Sequence, residues 1–346
     1  MKRRAVWASA AVLVLLGAAA AAEIPCVFSG VARVVAVGDL HGDHKNFVSI
    51  LKSTGIVDED LRWAAGVTHF VQTGDIMDRG PDARKIFDLL MRLEKEATAA
   101  GGRVHVLIGN HEMMNISGIA FDYPDYVTVE QLLSFLPPDY IQSKEKEFLR
   151  RRKFESAAGS GGDGSGIPDG ERRTLWAEVM QNDPGARRRY LSFFRDKYGP
   201  WLLGLNAVLK INETVFVHGG ISPEYSLKPL AAINNEVRRE LRMVVKNGDF
   251  EPRTLYARDG PLWYRDLAQR DEALFEDEVD AILANLQARH IVIAHTVLGL
   301  ATAKNMKRFG GKVWIIDTGI SDYYQGQLSA LIIEGTDIKV WGVNDE

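Results

Sequence analysis

Residues 33–42 read Arg-Val-Val-Ala-Val-Gly-Asp-Leu-His-Gly, and this stretch decides the fold. Its first half, Arg33 to Val37, is a run of β-branched and apolar residues that is typical of a buried strand. Its second half, Gly38 to Gly42, is polar and offers Asp39 and His41 directly after the strand. The stretch therefore predicts a strand that is followed, at its carboxyl end, by side chains able to bind a ligand or take part in a reaction.

Two later apolar runs end in the same way. Thr68 to Thr73 leads into Gly-Asp-Ile-Met-Asp-Arg-Gly at 74–80, and Arg103 to Ile108 leads into Gly-Asn-His-Glu at 109–112. Amphipathic stretches separate the strands and predict helices, at 47–51 and 83–93. Strands that alternate with helices form a parallel sheet with helices on its faces, and ligands collect at the carboxyl ends of such strands. We therefore expect the three motifs at one edge of a sheet.

The second half of the chain is rich in short strands. They are predicted at 207–211, 214–218, 291–294, 313–317, 328–333 and 337–341. Their close spacing indicates a second, mixed sheet. Between the halves, at about 143–174, a charged helical stretch precedes a Gly/Ser-rich segment that is too poor in apolar residues to pack. We interpret this region as a flexible insertion inside one domain, because later motifs complete the same site.

The composition is that of a globular enzyme. The chain has 346 residues, of which 46% are hydrophobic and 25% are charged, and its formal net charge is -4. This acidic balance argues against a nucleic-acid partner held by a general basic surface. An anionic substrate must instead be attracted locally, and bound cations are the obvious means.

The first residues of the chain have the features of a secretory signal peptide. Residues 2–4 are basic, Val12 to Leu16 is apolar, and Ala20-x-Ala22 resembles a cleavage site. An uncleaved anchor is the alternative, but the apolar run is shorter than the roughly 20 residues of a spanning helix. We therefore expect a signal peptide at 1–22, an extracellular or periplasmic catalytic domain at 23–346, and no stable membrane insertion after cleavage.

Six nitrogen and oxygen donors follow strand ends and are the candidate metal ligands. They are Asp39, His41, Asp75, Asn110, His218 and His295. The chain has one cysteine, so a thiolate cage is excluded. Imidazole, amide and carboxylate ligands suit Mn, Fe or Zn, and six are enough for two ions if one carboxylate bridges them.

Two cations would let this acidic chain act on a phosphomonoester, which is a dianion. Ions about 3.5–4 Å apart can clamp the phosphoryl oxygens and share a hydroxide in line with the leaving group. The departing oxygen then needs a proton. His111, beside Asn110, is placed to supply it, with Asp78 orienting the imidazole. Arg79 can hold phosphate oxygens bidentately.

Taken in order, the motifs resemble those of the phosphoprotein phosphatases, a group of calcineurin-like metallophosphoesterases. Gly-Asp-x-His-Gly, Gly-Asp-x-x-Asp-Arg-Gly, Gly-Asn-His-Glu, His-Gly-Gly and a later Ala-His occur in that order within residues 33–317. The resemblance implies an α/β fold in which a β-sandwich of two mixed sheets is flanked by helices. It also implies a metal-dependent hydrolase with two bound ions.

The resemblance further implies a role for each matching residue. For the first metal it implies these ligands: Asp39, His41 and Asp75. For the second metal it implies these: Asp75, Asn110, His218 and His295. It also implies that His111 and Asp78 form the acid pair and that Arg79 contacts phosphate.

Several features depart from typical Ser/Thr phosphatases. Gly109-Asn-His-Glu is preceded by Leu-Ile where those enzymes have an arginine before the glycine, and Asp317-Thr-Gly-Ile-Ser stands where they have Ser-Ala-Pro-Asn-Tyr. These features and the run Gly-Pro-Leu-Trp-Tyr-Arg265 resemble the Shewanella-like phosphatases, some of which prefer phosphotyrosine. A second phosphate-binding arginine is expected from the family. Arg265 is our candidate, and Arg258 lies close by in the sequence.

The predicted substrate is thus a phosphorylated protein or peptide. One alternative is hydrolysis of a small phosphorylated molecule such as a dinucleoside polyphosphate, and another is a metal-binding protein without turnover. The complete ligand set and acid pair disfavour the latter. Among the other histidines, His69 and His105 lie inside strands and are interpreted as structural. His44 either hydrogen-bonds near the site or is simply exposed at a helix start.

Overall fold

A computed structural model describes residues 24–156, 166–246 and 252–344 of the chain. The predicted signal peptide and residues 157–165 of the predicted insertion lie outside the described residues. The strands are β1 (Val27–Phe28), β2 (Arg33–Val37), β3 (His69–Gln72), β4 (Arg103–Val106), β5 (Val208–Ile211), β6 (Thr214–Val217), β7 (His290–Ile293), β8 (Lys307–Arg308), β9 (Val313–Ile315), β10 (Ala330–Glu334) and β11 (Asp337–Trp341). The helices are α1 (His44–Ser53), α2 (Ala83–Ala99), α3 (Asn110–Ser117), α4 (Val129–Phe135), α5 (Pro138–Ser156), α6 (Asp169–Asn182), α7 (Pro184–Leu202), α8 (Pro223–Ser226), α9 (Leu230–Lys246), α10 (Asp266–Gln269) and α11 (Glu272–Leu286).

The strands form two mixed sheets, as the family resemblance implied. The five-stranded sheet has the order β11-β10-β2-β3-β4, and the six-stranded sheet has the order β1-β5-β6-β7-β9-β8. Strands β2, β3 and β4 run parallel and are connected through α1 and α2. The strand–helix alternation in the first half is therefore confirmed.

The last hairpin is not part of the second sheet, and our expectation for it was wrong. Strand β10 pairs antiparallel with both β11 and β2, so the hairpin extends the first sheet. Leu331 of β10 lies opposite Ala36, and Ile333 lies opposite Val34. The close spacing of β10 and β11 reveals that they pair with each other. It does not reveal which sheet edge they join, because β2 lies almost 300 residues earlier in the chain.

The two sheets pack face to face and bury alternate residues of each strand, as in a β-sandwich. Val34 and Ala36 of β2 share a core with Phe216 of the second sheet, whereas Val35 and Val37 face the helices. Helices α1 and α2 cover the outer face of the first sheet, and α11 covers that of the second. Both strand layers are thus held on two sides, which fixes the positions of their carboxyl ends.

Helices α4 to α7 form an additional helical layer beside the first sheet. Rings from α7 pack onto Phe135 of α4, with Tyr190 at 5.2 Å and Phe194 at 5.4 Å between centroids. The charged helical stretch predicted near residue 143 lies in α5, while the flexibility of the insertion stays a prediction. Among the described helices, none combines the length and hydrophobicity that crossing a bilayer requires.

His69 and His105 lie inside strands and pair with each other, in line with a structural role. The His105 Nε2 atom is 3.0 Å from His69 Nδ1, and the Phe28 ring packs against both imidazoles. Burial and the neighbouring His69 lower the pKa of His105 to about 3, so this imidazole is neutral near pH 7. The pair therefore belongs to the packing between β1, β3 and β4.

Candidate metal centre

The three polar motifs meet at the carboxyl edge of β2, β3 and β4, where their loops interlock. The backbone N–H groups of Leu40 and His41 donate to Asp75 O at 3.0 and 2.9 Å. Gly42 and Gly80 touch backbone to backbone, and a Cβ on Gly80 would clash with His41 O. Gly42 and Gly80 are therefore required by the close approach of the first two motif loops. The expected convergence of the motifs is confirmed.

Five residues around this edge adopt a left-handed backbone that is unusual for side chains other than glycine. Their φ angles are 40° for His41, 54° for Asp75, 71° for Asp78, 66° for Arg79 and 64° for His295. Each such conformation costs on the order of 1–3 kcal/mol and persists only where the surroundings enforce it. The strain coincides with the residues to which we assigned metal, acid and phosphate roles.

Glu112 enforces much of this loop geometry. Its buried carboxylate accepts four backbone N–H groups: those of Asp75 at 2.8 Å, Ile76 at 2.8 Å, Met77 at 3.2 Å and Gly109 at 2.9 Å. Burial and the nearby Asp75 carboxylate raise the pKa of Glu112 to about 7. One side chain thus ties the second motif to the third, a role that the sequence alone did not reveal.

Asp75 lies at the centre of the buried ligand cluster. Its carboxylate forms one group with His218 and His295 and another with His41 and His111, and within each group the possible ligand atoms lie within 4.8 Å of one another. A carboxylate shared by two groups is what a bridging ligand requires. The structure therefore brings Asp75 into the position that the sequence predicted for it.

Two histidines of the cluster are oriented by backbone carbonyls that lie next to their Nδ1 atoms. His41 Nδ1 is 2.9 Å from Met77 O, and His218 Nδ1 is 3.0 Å from Thr73 O. Because only an Nδ1–H can donate to these carbonyls, the Nε2 atom of each ring is left to face Asp75 Oδ2, at 3.9 Å for His41 and 3.3 Å for His218. A metal-binding histidine is commonly oriented by such a bond from its other nitrogen.

Other candidate ligand atoms are close together or lack hydrogen-bond partners. His218 Nε2 lies 2.9 Å from Asn110 Oδ1 and 3.3 Å from Asp75 Oδ2, so three possible ligand atoms face one another. Asp39 Oδ1 and His295 Nε2 are buried without any hydrogen-bond partner. Buried acceptors without donors are costly unless a cation satisfies them. The six candidate ligands therefore fit a centre that holds metal ions.

Asp317 is a buried carboxylate at this centre that the sequence analysis did not single out. Burial raises the pKa of Asp317 to about 6, and its Oδ2 atom has no hydrogen-bond partner. Burial, Asp317 and Asp75 together raise the pKa of Asp39. Asp317 follows β9 just as Asp39 follows β2, and this placement after a strand was the signal that could have identified it.

His111 and Asp78 form the predicted pair. His111 Nδ1 lies 2.6 Å from Asp78 Oδ2, while Nε2 lies 3.8 Å from Asp75 Oδ2 and so points into the centre. Burial lowers the pKa of His111, but the carboxylates of Asp75 and Asp78 outweigh it and the net shift is upward. A protonated imidazole beside the centre is suited to give its Nε2 proton to a departing oxygen.

The two predicted phosphate-binding arginines contact different histidines of the centre. The Arg79 guanidinium donates to His41 Nε2 at 2.7 Å. Three tyrosine rings surround it, with centroids at 5.1, 5.6 and 5.0 Å from its central carbon: Tyr126, Tyr323 and Tyr324. Arg265 donates to His295 O at 2.7 Å and to Thr296 Oγ1 at 2.9 Å. The role of both arginines as phosphate contacts stays a prediction.

A cavity of about 690 Å³ opens next to Arg265. Arg258, the alternative candidate, lines the same cavity together with Tyr123, Tyr256 and Trp263. The Trp263 ring lies 5.6 Å from the His295 ring, nearly perpendicular to it, so the cavity adjoins the metal centre. Its aromatic and cationic wall is chemically suited to an anionic substrate with flat rings or apolar side chains.

The sequence matches a known family and several known proteins. Residues 32–299 match the family model described as calcineurin-like phosphoesterase. An uncharacterized protein of Schizosaccharomyces pombe is 30% identical over 88% of this chain and 78% of its own length. Shewanella-like protein phosphatase 2 of Arabidopsis thaliana is 32% identical over 77% of this chain, which spans 66% of that protein's length.

Among solved structures, the chain resembles a cold-active protein-tyrosine phosphatase of a psychrophilic Shewanella species. The two share 27% sequence identity with a TM-score of 0.63, over 92% of this chain and 82% of the other. The similarity therefore covers the sandwich and the helical layer together.

Glu112→Gln should weaken metal binding by about 10- to 100-fold, the usual effect of removing a group that holds the ligands in place. The amide cannot accept all four backbone N–H groups, so the loops that carry Asp75 and Asn110 should loosen. The measurement is calorimetric titration of the metal-free protein with Mn²⁺.

Glu240→Gln is the matched control for this substitution. Glu240 is also buried and accepts backbone N–H groups, from Arg253 at 3.2 Å and Leu255 at 3.0 Å, but lies on α9 without a candidate ligand. The Glu240→Gln substitution should lower the free energy of unfolding and leave the affinity for metal unchanged. Equal metal affinity in the Glu112 variant and the wild type would contradict the role of Glu112.

Proposed function

The chain belongs to the calcineurin-like phosphoesterase family, and on this premise we propose that it is a metal-dependent phosphoprotein phosphatase that hydrolyses phosphomonoesters. The observation that carries the proposal is a buried set of candidate ligand atoms around Asp75, among which Asp39 Oδ1 and His295 Nε2 have no hydrogen-bond partner, with the His111–Asp78 pair beside it. A structural metal site would need the ligands alone. The added pair points to a reaction in which a proton is transferred.

We propose Mn, Fe or Zn as the two divalent or trivalent ions of this centre, because its donors are nitrogen and oxygen atoms. Bound there, the ions would neutralise the phosphate dianion and supply a hydroxide nucleophile at neutral pH. The ligands in this proposal are those assigned from the sequence: Asp39, His41, Asp75, Asn110, His218 and His295.

The protein's own groups would bind and orient the ester. The tyrosine rings around Arg79 limit its movement, so its donors can meet phosphate oxygens with little loss of side-chain entropy. Arg265, tied to the backbone of His295, would contact the phosphate from the cavity side. His111 Nε2 would give its proton to the departing oxygen while Asp78 stabilises the imidazolium.

We propose that phosphotyrosine is the preferred substrate residue. Tyr126 and Tyr324 stand beside Arg79, and Tyr256 and Trp263 line the adjoining cavity. Such rings can pack on a substrate ring and gain about 0.5–1.5 kcal/mol per aromatic pair, which a phosphoserine side chain cannot provide. The protein-tyrosine phosphatase activity in the name of the Shewanella relative supports the same choice.

The purified, Mn-loaded protein should hydrolyse p-nitrophenyl phosphate and phosphopeptides, with a higher kcat/KM for a phosphotyrosine peptide than for its phosphoserine counterpart. Removing the metal with a chelator should abolish turnover, and Mn should restore it. Phosphate release is the measurement, and diadenosine tetraphosphate belongs in the panel. If diadenosine tetraphosphate is cleaved faster than the phosphopeptides, the small-molecule alternative is favoured. If no ester is cleaved, the proposed phosphatase function is wrong.

His111→Ala should lower kcat by about 10²–10⁴-fold, the usual contribution of a general acid, with both metals retained. Metal content by elemental analysis and kcat with a phosphotyrosine peptide are measured on the same sample. His44→Ala is the control, since this histidine sits at the start of α1 and interacts electrostatically with Asp82 and Lys85. Loss of metal from the His111 variant would refute its assignment as the acid.

We also propose that residues 1–22 direct export and are removed. The support is the sequence pattern alone, since these residues lie outside the described part of the chain. After expression with the full leader, mass spectrometry of the extracellular or periplasmic protein should find an amino terminus directly after Ala22. Membrane-bound protein that retains the leader would instead identify an anchor.

A further inference from the structure

Asp78 is bound by more groups than the orientation of His111 requires. Its side chain is fully buried, with 0% of its surface exposed. Besides His111 Nδ1, it receives Asn115 Nδ2 at 2.9 Å and Gln131 Nε2 at 2.9 Å. The backbone N–H of Asp78 in turn donates to Gln131 Oε1 at 2.7 Å. One glutamine of α4 thus holds both the main chain and the carboxylate of Asp78.

Tyr190 of α7 completes this network. Its hydroxyl donates to Asn115 Oδ1 at 2.7 Å and accepts from Gln131 Nε2 at 3.0 Å. Asn115, Gln131 and Tyr190 are all fully buried. Because the hydroxyl occupies Asn115 Oδ1, the Nδ2 group of that amide must face Asp78. The bond that the hydroxyl accepts likewise keeps Gln131 Nε2 on the side of the Asp78 carboxylate, while Gln131 Oε1 meets the Asp78 backbone N–H.

We propose that Gln131 and Tyr190 are positioning residues for the His111 general acid, which makes the helical layer part of the catalytic apparatus. The proposal rests on the phosphatase function proposed above. Through Asn115 and Gln131, the Tyr190 hydroxyl holds the Asp78 carboxylate in one orientation. That carboxylate then fixes the His111 ring, so that Nε2 points to the place of the departing oxygen.

Tyr190→Phe tests the hydroxyl without removing the ring. The ring packs between Phe121 and Phe135, at 5.0 and 5.2 Å, and phenylalanine keeps these contacts. Tyr198→Phe is the matched control: Tyr198 is also fully buried on α7, but its hydroxyl donates to Asp88 Oδ1 of α2 at 2.8 Å and not to a group that binds Asp78. Both variants lose one hydroxyl from the same helix.

The first readout compares two aryl phosphates of similar size. Phenyl phosphate needs a proton on its departing oxygen, whereas p-nitrophenyl phosphate releases a stable anion and depends less on a general acid. Tyr190→Phe should lower kcat for phenyl phosphate by up to about tenfold, the scale of one buried hydrogen bond. The kcat for p-nitrophenyl phosphate and both KM values should change little. Tyr198→Phe should leave the ratio of the two kcat values at the wild-type level.

The second readout needs no turnover. In the metal-free protein, the Nδ1 proton in the 2.6 Å His111–Asp78 bond should give a slowly exchanging low-field signal in proton NMR. This signal should persist in Tyr198→Phe and should shift or broaden in Tyr190→Phe and in Gln131→Met. If Gln131→Met does not fold, the tyrosine pair alone decides the result.

An equal fall of kcat for both esters in Tyr190→Phe would show a general structural effect and overturn the proposal. An unchanged kcat ratio together with an unchanged NMR signal would also overturn it. If the wild type cleaves neither ester, the proposed phosphatase function fails. The NMR comparison still decides whether Tyr190 controls the His111–Asp78 bond.

Discussion

The concentration of negative charge at the carboxyl edge of the first sheet is the constraint on which the rest of the structure depends. Asp39, Asp75, Glu112 and Asp317 are all buried there. Burial and mutual repulsion raise the pKa of Asp39, Glu112 and Asp317. Asp75 is the exception, because the surrounding histidines outweigh its burial and lower its pKa. A fold that assembles such a cluster must satisfy each carboxylate separately or bind cations.

The hydrogen-bond partners divide these carboxylates into two kinds. Glu112 is satisfied by four backbone N–H groups, and Asp78, nearby, is satisfied by an imidazole and two amides. Asp39 and Asp317 each keep a buried oxygen without a partner. Carboxylates of the first kind hold the loops and the acid in place. Those of the second kind have free acceptor capacity where metal ions would add both charge and coordination, so metal binding should also stabilise the folded state.

Much of this arrangement was predictable from the sequence, because motifs at the ends of consecutive parallel strands must converge. That rule located Asp39, Asp75 and Asn110 correctly without any knowledge of the loops between them. Partners recruited from distant elements were not predictable in this way. Gln131 and Tyr190 sit in ordinary helical sequence, and only the packing of α4 and α7 brings them to Asp78. The sheet that β10 joins was predicted wrongly for the same reason, because pairing between strands far apart in the sequence leaves no local sequence pattern.

The two parts of the fold therefore contribute different halves of the proposed chemistry. The sandwich supplies the ligands from strand ends, where two packed sheets hold the backbone rigidly. The helical layer, together with Asn115 of α3, supplies neutral amide and hydroxyl groups that surround Asp78, because a second set of charges there would compete with the metal centre. Neutral donors can fix a buried carboxylate without adding to the field that acts on the phosphate. This division explains why the acid pair is supported by Asn115, Gln131 and Tyr190 and not by further arginines or lysines.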